Sequence, residues 1–239
     1  MKKQGWRTFL LVLFLLAWVF VVLISTELLI GVIMAWALPP ETFNSPLVTT
    51  IYSVISYGLA LFIIVYVPPK IFKKSEIMRS TRERMGLNGL PTWTDIGLAP
   101  IGYVASILIA AGITLLFSLF PWFNADEVQE LGYNLYMQGG ERVLAFISLV
   151  ILAPIVEELV FRGWLYGKLR LKVPKAIAVL IVSLLFGLVH FQWNVGISVF
   201  AMSIITCSLR EVTGTIYAGT LVHMINNCVA FFMVFMLGM

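Results

Sequence analysis

Apolar residues run along this chain in long blocks separated by short polar stretches. A helix needs about 20 apolar residues to cross roughly 30 Å of hydrocarbon. The blocks at 9–38, 47–67, 96–120, 143–167, 176–193, 195–209 and 214–238 are candidates by that measure. The sixth is short and reads as a re-entrant or tightly packed segment. The first is long, and Glu27 within it marks an interfacial break. The pattern predicts an all-α fold, a polytopic transmembrane helical bundle of about seven spans, with six to eight allowed.

Composition points the same way. Of 239 residues, 60% are hydrophobic and 12% charged, where a soluble domain carries about 25% charged residues. Mean hydropathy is +0.97. No hydrophilic stretch is long enough to fold alone, so the chain reads as one membrane unit. Its first part, 1–142, holds N-terminal helices and a basic loop at 68–95, and its second, 143–239, holds the core helices. The net charge of +4 does not indicate a nucleic-acid partner, because the basic residues flank apolar spans. Cys207 and Cys228 lie inside such spans and read as free thiols. The basic start and apolar run of "MKKQGWRTFLLVLFLLAWVF" resemble a signal peptide, and Ala35-Trp36-Ala37 mimics a cleavage site. Signal peptides, however, have apolar regions of roughly 7–15 residues, so an uncleaved first span is expected.

Loop charge predicts orientation. Lys2, Lys3 and Arg7 precede the first span; Lys70, Lys73, Lys74, Arg79, Arg82 and Arg84 lie in 68–95; Lys168, Arg170, Lys172 and Lys175 lie in 168–175. Between the third and fourth spans, Asp126, Glu127, Glu130 and Glu141 outweigh Arg142. The N-terminus is therefore expected in the cytoplasm and, with seven spans, the C-terminus outside. The stretch 73–93 can form a basic amphipathic helix at the inner surface; a solvated loop steadied by anionic lipid is the plainer reading, and a part in admitting substrate the other.

Polar residues inside spans are costly and mark function or a buried network. The fourth span begins with an uncharged run, Val143–Val156, whose strongly apolar residues each favour insertion by roughly 0.3–0.6 kcal/mol. It then carries Glu157, Glu158 and Arg162, each costing up to about 3 kcal/mol near the bilayer centre. Such a helix must turn its polar face towards partners. The chain's two histidines, His190 and His223, both lie in apolar spans. Three pairs sit four residues apart: Glu158 and Arg162, Phe186 and His190, His223 and Asn227. Residues at that spacing share a helix face, so three helices each present one stacked pair, with Glu157 about 100° around from Glu158. Counting 1.5 Å per residue from the basic loops puts Glu158, His223 and His190 at similar depth, His190 about a turn deeper. A shared pocket on the cytoplasmic half is expected.

The chemistry that fits is hydrolysis of an amide by an activated water. Arg162 holds Glu158 ionised, leaving Glu157 as the general base. His190 shares in activating the water, and His223 and Asn227 are donors suited to an oxyanion. No metal is required on this reading; zinc held by Glu157, His190 and His223 is the alternative. An aspartyl dyad lacks members, since Asp95 and Asp126 lie outside or at the edge of spans, and no H-E-x-x-H motif is present. Ser198, in "GISVF", has nothing that marks it as activated.

At these residues the chain resembles the CPBP family of membrane endopeptidases, which includes the type 2 CAAX prenyl proteases (Rce1-like) and the bacteriocin-processing or Abi proteins. The family pattern E-E-x-x-x-R, F-x-x-x-H and H-x-x-x-N or -D is matched by Glu157-Glu158…Arg162, Phe186…His190 and His223…Asn227. The resemblance covers about 143–237, with a weaker signal in "MGLNG…TWTDIGLA" before it. It implies that Glu157 and His190 activate water, that Glu158 and Arg162 shape the site, and that His223 and Asn227 stabilise the oxyanion. It implies a membrane peptide or lipidated protein as substrate, with the bilayer as partner. Short loops and no appended targeting segment point to a prokaryotic plasma membrane. A non-enzymatic immunity or scaffold protein of the same fold is the competing reading.

Overall fold

The computed structural model describes residues 2–42, 45–73, 75–127, 133 and 137–237. Lys74 and Glu130 of the charge pattern lie outside the described residues, as do the side chains of Lys2 and Lys3. The described chain forms helices α1 (Lys2–Ala37), α2 (Pro46–Ile71), α3 (Trp93–Phe117), α4 (Gly140–Leu169), α5 (Lys175–Leu188), α6 (Trp193–Thr213) and α7 (Tyr217–Leu237). A short 3-10 turn, Pro40–Thr42, links the first two, and no strand occurs among the described residues. The chain is a multi-pass helical membrane protein, with six helices among the described residues long and apolar enough to cross a bilayer.

The exception is α5, with 14 residues, about 21 Å of helix. The sequence reading assigned shortness to 195–209 instead. That helix in fact runs for 21 residues. The difference comes from the residues after Leu188, where the chain turns back through His190 and Phe191, and Phe191 takes a φ of 54°. Hydropathy alone is blind to this break, because Val189 and Phe191 continue the apolar run. The expected break at Glu27 is also corrected: α1 is helical without interruption to Ala37.

The bundle has two chemically distinct ends. At one, Lys168 Nζ donates to Ile77 O at 3.0 Å and Arg210 Nη1 donates to Gly163 O at 3.2 Å, while Arg210 Nη2 donates to Arg84 O. Ile216 N–H reaches Gly86 O at 3.0 Å, and Glu211 pairs with Arg170 and Lys175. At the other end, Tyr133 and Thr50 share a hydroxyl contact of 3.0 Å, and Arg142 approaches Met236. Basic loops thus meet at one end and the acidic loop lies at the other.

Residues 75–92 form a loop, as the plainer reading of the sequence has it, and not the amphipathic helix that it also allows. It is a chain of turns with Met78 and Met85 tucked into the bundle. Gly86 and Gly89 sit at positive φ, which breaks a right-handed helix. The carbonyls of Ile77 and Arg84 are taken by cations from α4 and α6.

At the core, α6 packs against α3, α5 and α7. Its contact with α5 is backbone on backbone: a Cβ on Gly187 would lie 2.8 Å from Gly196 O. Small residues permit this approach of membrane helices. Gly187→Val is expected to force the two helices apart at an overpacking cost of about 1–3 kcal/mol. It should also displace His190, three residues on. Thermal unfolding in detergent checks the first effect, and an unchanged midpoint would contradict the close approach.

Candidate active site

The two glutamates lie on an irregular helix. Within α4, an α-helical turn at Ala153–Glu158 is flanked by π-helical stretches at Ile147–Leu152 and Leu159–Tyr166. Pro154 has no N–H, so one carbonyl of the preceding turn loses its usual partner. Ala153 N–H reaches back to Ser148 O, the wider π-type step. Widened turns of this kind rotate the side chains that follow and recur at functional sites.

That rotation gives the adjacent carboxylates different surroundings. Glu158 is fully buried; its Oε1 meets Arg162 Nη1 at 2.9 Å and His223 Nδ1 at 3.2 Å. Arg162 is equally buried, with its guanidinium over the Phe186 ring, 4.3 Å from the centroid. Glu157 keeps 16% of its side-chain surface accessible. Its Oε1 accepts a hydrogen bond from the Tyr57 hydroxyl at 3.0 Å, and its Oε2 lies 3.7 Å from His223 Nε2.

The histidines flank Phe186, which meets both rings edge-on. His190 Nδ1 lies 2.8 Å from Phe186 O. A carbonyl only accepts, so Nδ1 carries the proton and Nε2 presents its lone pair. His223 donates from Nδ1 to Glu158 by the same reasoning, leaving Nε2 towards Glu157. One proton on either atom turns that facing pair into donor and acceptor. Asn227 uses one N–H on Leu149 O at 2.9 Å, and its Oδ1 accepts from Asn226. The second N–H remains for a ligand.

Glu157, His190, His223 and Asn227 line one cavity of about 450 Å³, together with Tyr57, Thr114, Ala125, Leu149, Asn194 and Ser198 among others. Glu158 and Arg162 stand behind it as a buried pair. The cavity is not on the basic-loop half where the depth count puts it. Leu149 and Ala153 on α4, and Asn226 to Phe231 on α7, lie towards the acidic-loop end, as do Thr114 and Ala125. The reason is the short α5, which carries His190 to a turn that meets the acidic loop. Gln192 and Asn194 donate there to the carbonyls of Ala125 and Glu127.

Two competing chemistries find no support in this geometry. Asp95 is a helix cap: its carboxylate accepts from Thr92 N–H at 2.8 Å in a capping box at the start of α3. Ser198 lines the cavity, yet makes no hydrogen bond to either histidine among the described residues. No three His, Cys, Asp or Glu side chains among the described residues gather into a metal-ligating group. His223 has one nitrogen on Glu158 and the other facing Glu157 at 3.7 Å, with His190 on the same cavity.

Residues 139–229 match the family model described as type II CAAX prenyl endopeptidase, Rce1-like. Over this stretch the chain is similar to the Rce1-like family. Comparison with curated proteins finds no match, and comparison with solved structures finds none either. The Rce1-like stretch contains all six residues singled out from the sequence, and the family is one of CAAX-type intramembrane proteases. It begins at the start of α4, so α1–α3 lie outside it.

The sequence reading missed Tyr57, which comes from α2 to hydrogen-bond Glu157. A signal was present: Tyr52, Ser53, Ser56 and Tyr57 form a polar pair repeated four residues apart within an apolar span. Gln192 and Asn194 were missed too, because their partners are backbone carbonyls of a distant loop.

Proposed function

We propose that the chain is an intramembrane endopeptidase that cleaves a peptide bond in a membrane-associated peptide or lipidated protein. The observation that carries this reading is the division of labour between adjacent carboxylates. Glu158 is locked to Arg162, while Glu157 faces a cavity beside two histidines and an asparagine.

Glu157, with His190 Nε2, takes a proton from a water in the cavity. The water oxygen bonds to the scissile carbonyl carbon, and the free N–H of Asn227 meets the developing oxyanion, joined by His223 when its Nε2 carries a proton. The carbon–nitrogen bond then breaks as the proton on Glu157 passes to the leaving nitrogen, giving a carboxylic acid and an amine. No metal enters these steps, so incubation with a strong zinc chelator is expected to leave cleavage within about twofold of the untreated rate. Loss of activity that added zinc restores would replace this mechanism with a metal-dependent one.

With the basic loops in the cytoplasm, as their charge favours, the mouth of the cavity lies on the opposite face. Substrates would then approach from outside.

The decisive experiment compares new peptide termini in membranes holding the wild-type chain or Glu157→Gln at equal levels. Termini formed only with wild type identify substrate and cleavage position. Identical profiles, with any cellular phenotype kept by the variant, would replace the enzyme with a peptide-binding immunity or scaffold protein.

A further inference from the structure

A second pocket of about 80 Å³ lies between α1 and α2 and shares Tyr57 with the main cavity. Its polar wall is Thr26, Glu27, Tyr52, Ser53, Ser56 and Tyr57. A water needs roughly 10–15 Å³ of such space and two to four polar partners, so several fit. Thr26 and Ser53 donate their hydroxyl protons to the carbonyls of Val22 and Thr49, which leaves oxygen lone pairs to accept from water. The Ser56 hydroxyl is buried at 4% exposure, beside the Tyr52 hydroxyl. Tyr57 belongs to the walls of both pockets, and its hydroxyl is the one that donates to Glu157. Glu27 and Tyr52 likewise connect this pocket to an open groove along α1, past Ile24, Leu28 and Gly31.

Hydrolysis consumes one water per turnover, and a peptide seated in the main cavity occupies the space between Glu157 and the acidic-loop mouth. Water arriving from that side would be shut out when it is needed. We propose that the pocket between α1 and α2 is a rear water chamber for the site, with Tyr57 as the positioning residue that separates it from Glu157. This rests on the endopeptidase reading. It also accounts for Glu27: an ionisable group within a span faces a water-filled space, and here its carboxylate draws water to the outer lip.

The test fills the chamber and reads both hydration and rate. Radiolytic hydroxyl-radical labelling of the purified chain is expected to modify Tyr52 and Tyr57 in wild type. In Ser56→Leu, labelling at both should fall severalfold. On a peptide substrate found by terminus mapping, kcat should fall about tenfold or more with KM within twofold, because the peptide binds elsewhere. Tyr57→Phe should lower kcat with the same unchanged KM. Ser53→Leu, at a less buried position on the same wall, replaces Ser56→Leu if the latter does not fold. Absence of labelling in wild type overturns the proposal, as does an unchanged kcat in a folded variant whose labelling is lost. A wild-type chain that cleaves nothing overturns the endopeptidase reading and the chamber with it. Cleavage by wild type with a rate indifferent to Ser56→Leu overturns the chamber alone.

Discussion

Glu157→Gln is expected to lower the rate of peptide-bond cleavage by about 10²–10⁴-fold, the usual contribution of a positioned general base, while leaving the thermal midpoint unmoved. The amide has the carboxylate's shape, and its oxygen still accepts from Tyr57. Glu157 is part of no buried ion pair with a lysine or arginine, and its nearest basic atom, His223 Nε2, is 3.7 Å away. What disappears is the atom that takes the proton. Single-turnover cleavage and thermal unfolding on the same purified sample check both halves. A loss below tenfold would remove Glu157 from the role of base.

Arg162→Met is expected to act through stability. Glu158 and Arg162 are both fully buried and their charged atoms lie 2.9 Å apart. Removing one partner strands the other as an uncompensated buried charge, which costs about 3–5 kcal/mol. The stacking over Phe186 goes too. The double variant Glu158→Gln with Arg162→Met should recover much of the loss, since replacing a whole buried pair with neutral groups of similar volume is often tolerated. Unfolding midpoints of the two single variants and the double make the cycle. A cost under about 1 kcal/mol for Arg162→Met would mean that the pair does not hold the helices. His223 gives the result a functional side: its ring is held by Glu158, so losing Arg162 should also disturb His223 near Glu157.

Much of this site could be read before any coordinates. Spacing of four placed Glu158 with Arg162 and His223 with Asn227, and apolar surroundings announced that these polar groups need one another. The structure joins Glu158, Arg162 and His223 directly and sets Glu157, His190 and Asn227 around one cavity. What spacing could not give was the direction of the cavity. That depends on α5 ending at Leu188, and the ending is encoded in a positive φ at Phe191 with neither glycine nor proline to advertise it. The path of the loop at 75–92 was hidden for a related reason. Its basic residues look like a lipid-facing stripe, but its conformation is decided by Lys168 and Arg210, far along the chain, which claim its carbonyls. The π-helical turns of α4 were equally silent; only Pro154 hinted at them. Tyr57 was legible as part of a polar stripe, but nothing in the sequence said which way that stripe faced.

The shortness of α5 carries a consequence for the surrounding lipid. About 21 Å of helix stands where a bilayer offers about 30 Å of hydrocarbon, and the turn that completes it bears His190 and Gln192. Acyl chains beside α5 must therefore shorten, or headgroups must sink towards the turn, at a fraction of a kcal/mol for each ångström of mismatch. A substrate meeting this flank crosses a thinner oil layer than elsewhere on the bundle. Lipid chain length thus becomes a variable of the reaction: thick membranes oppose the local thinning, and thin ones come with it already made.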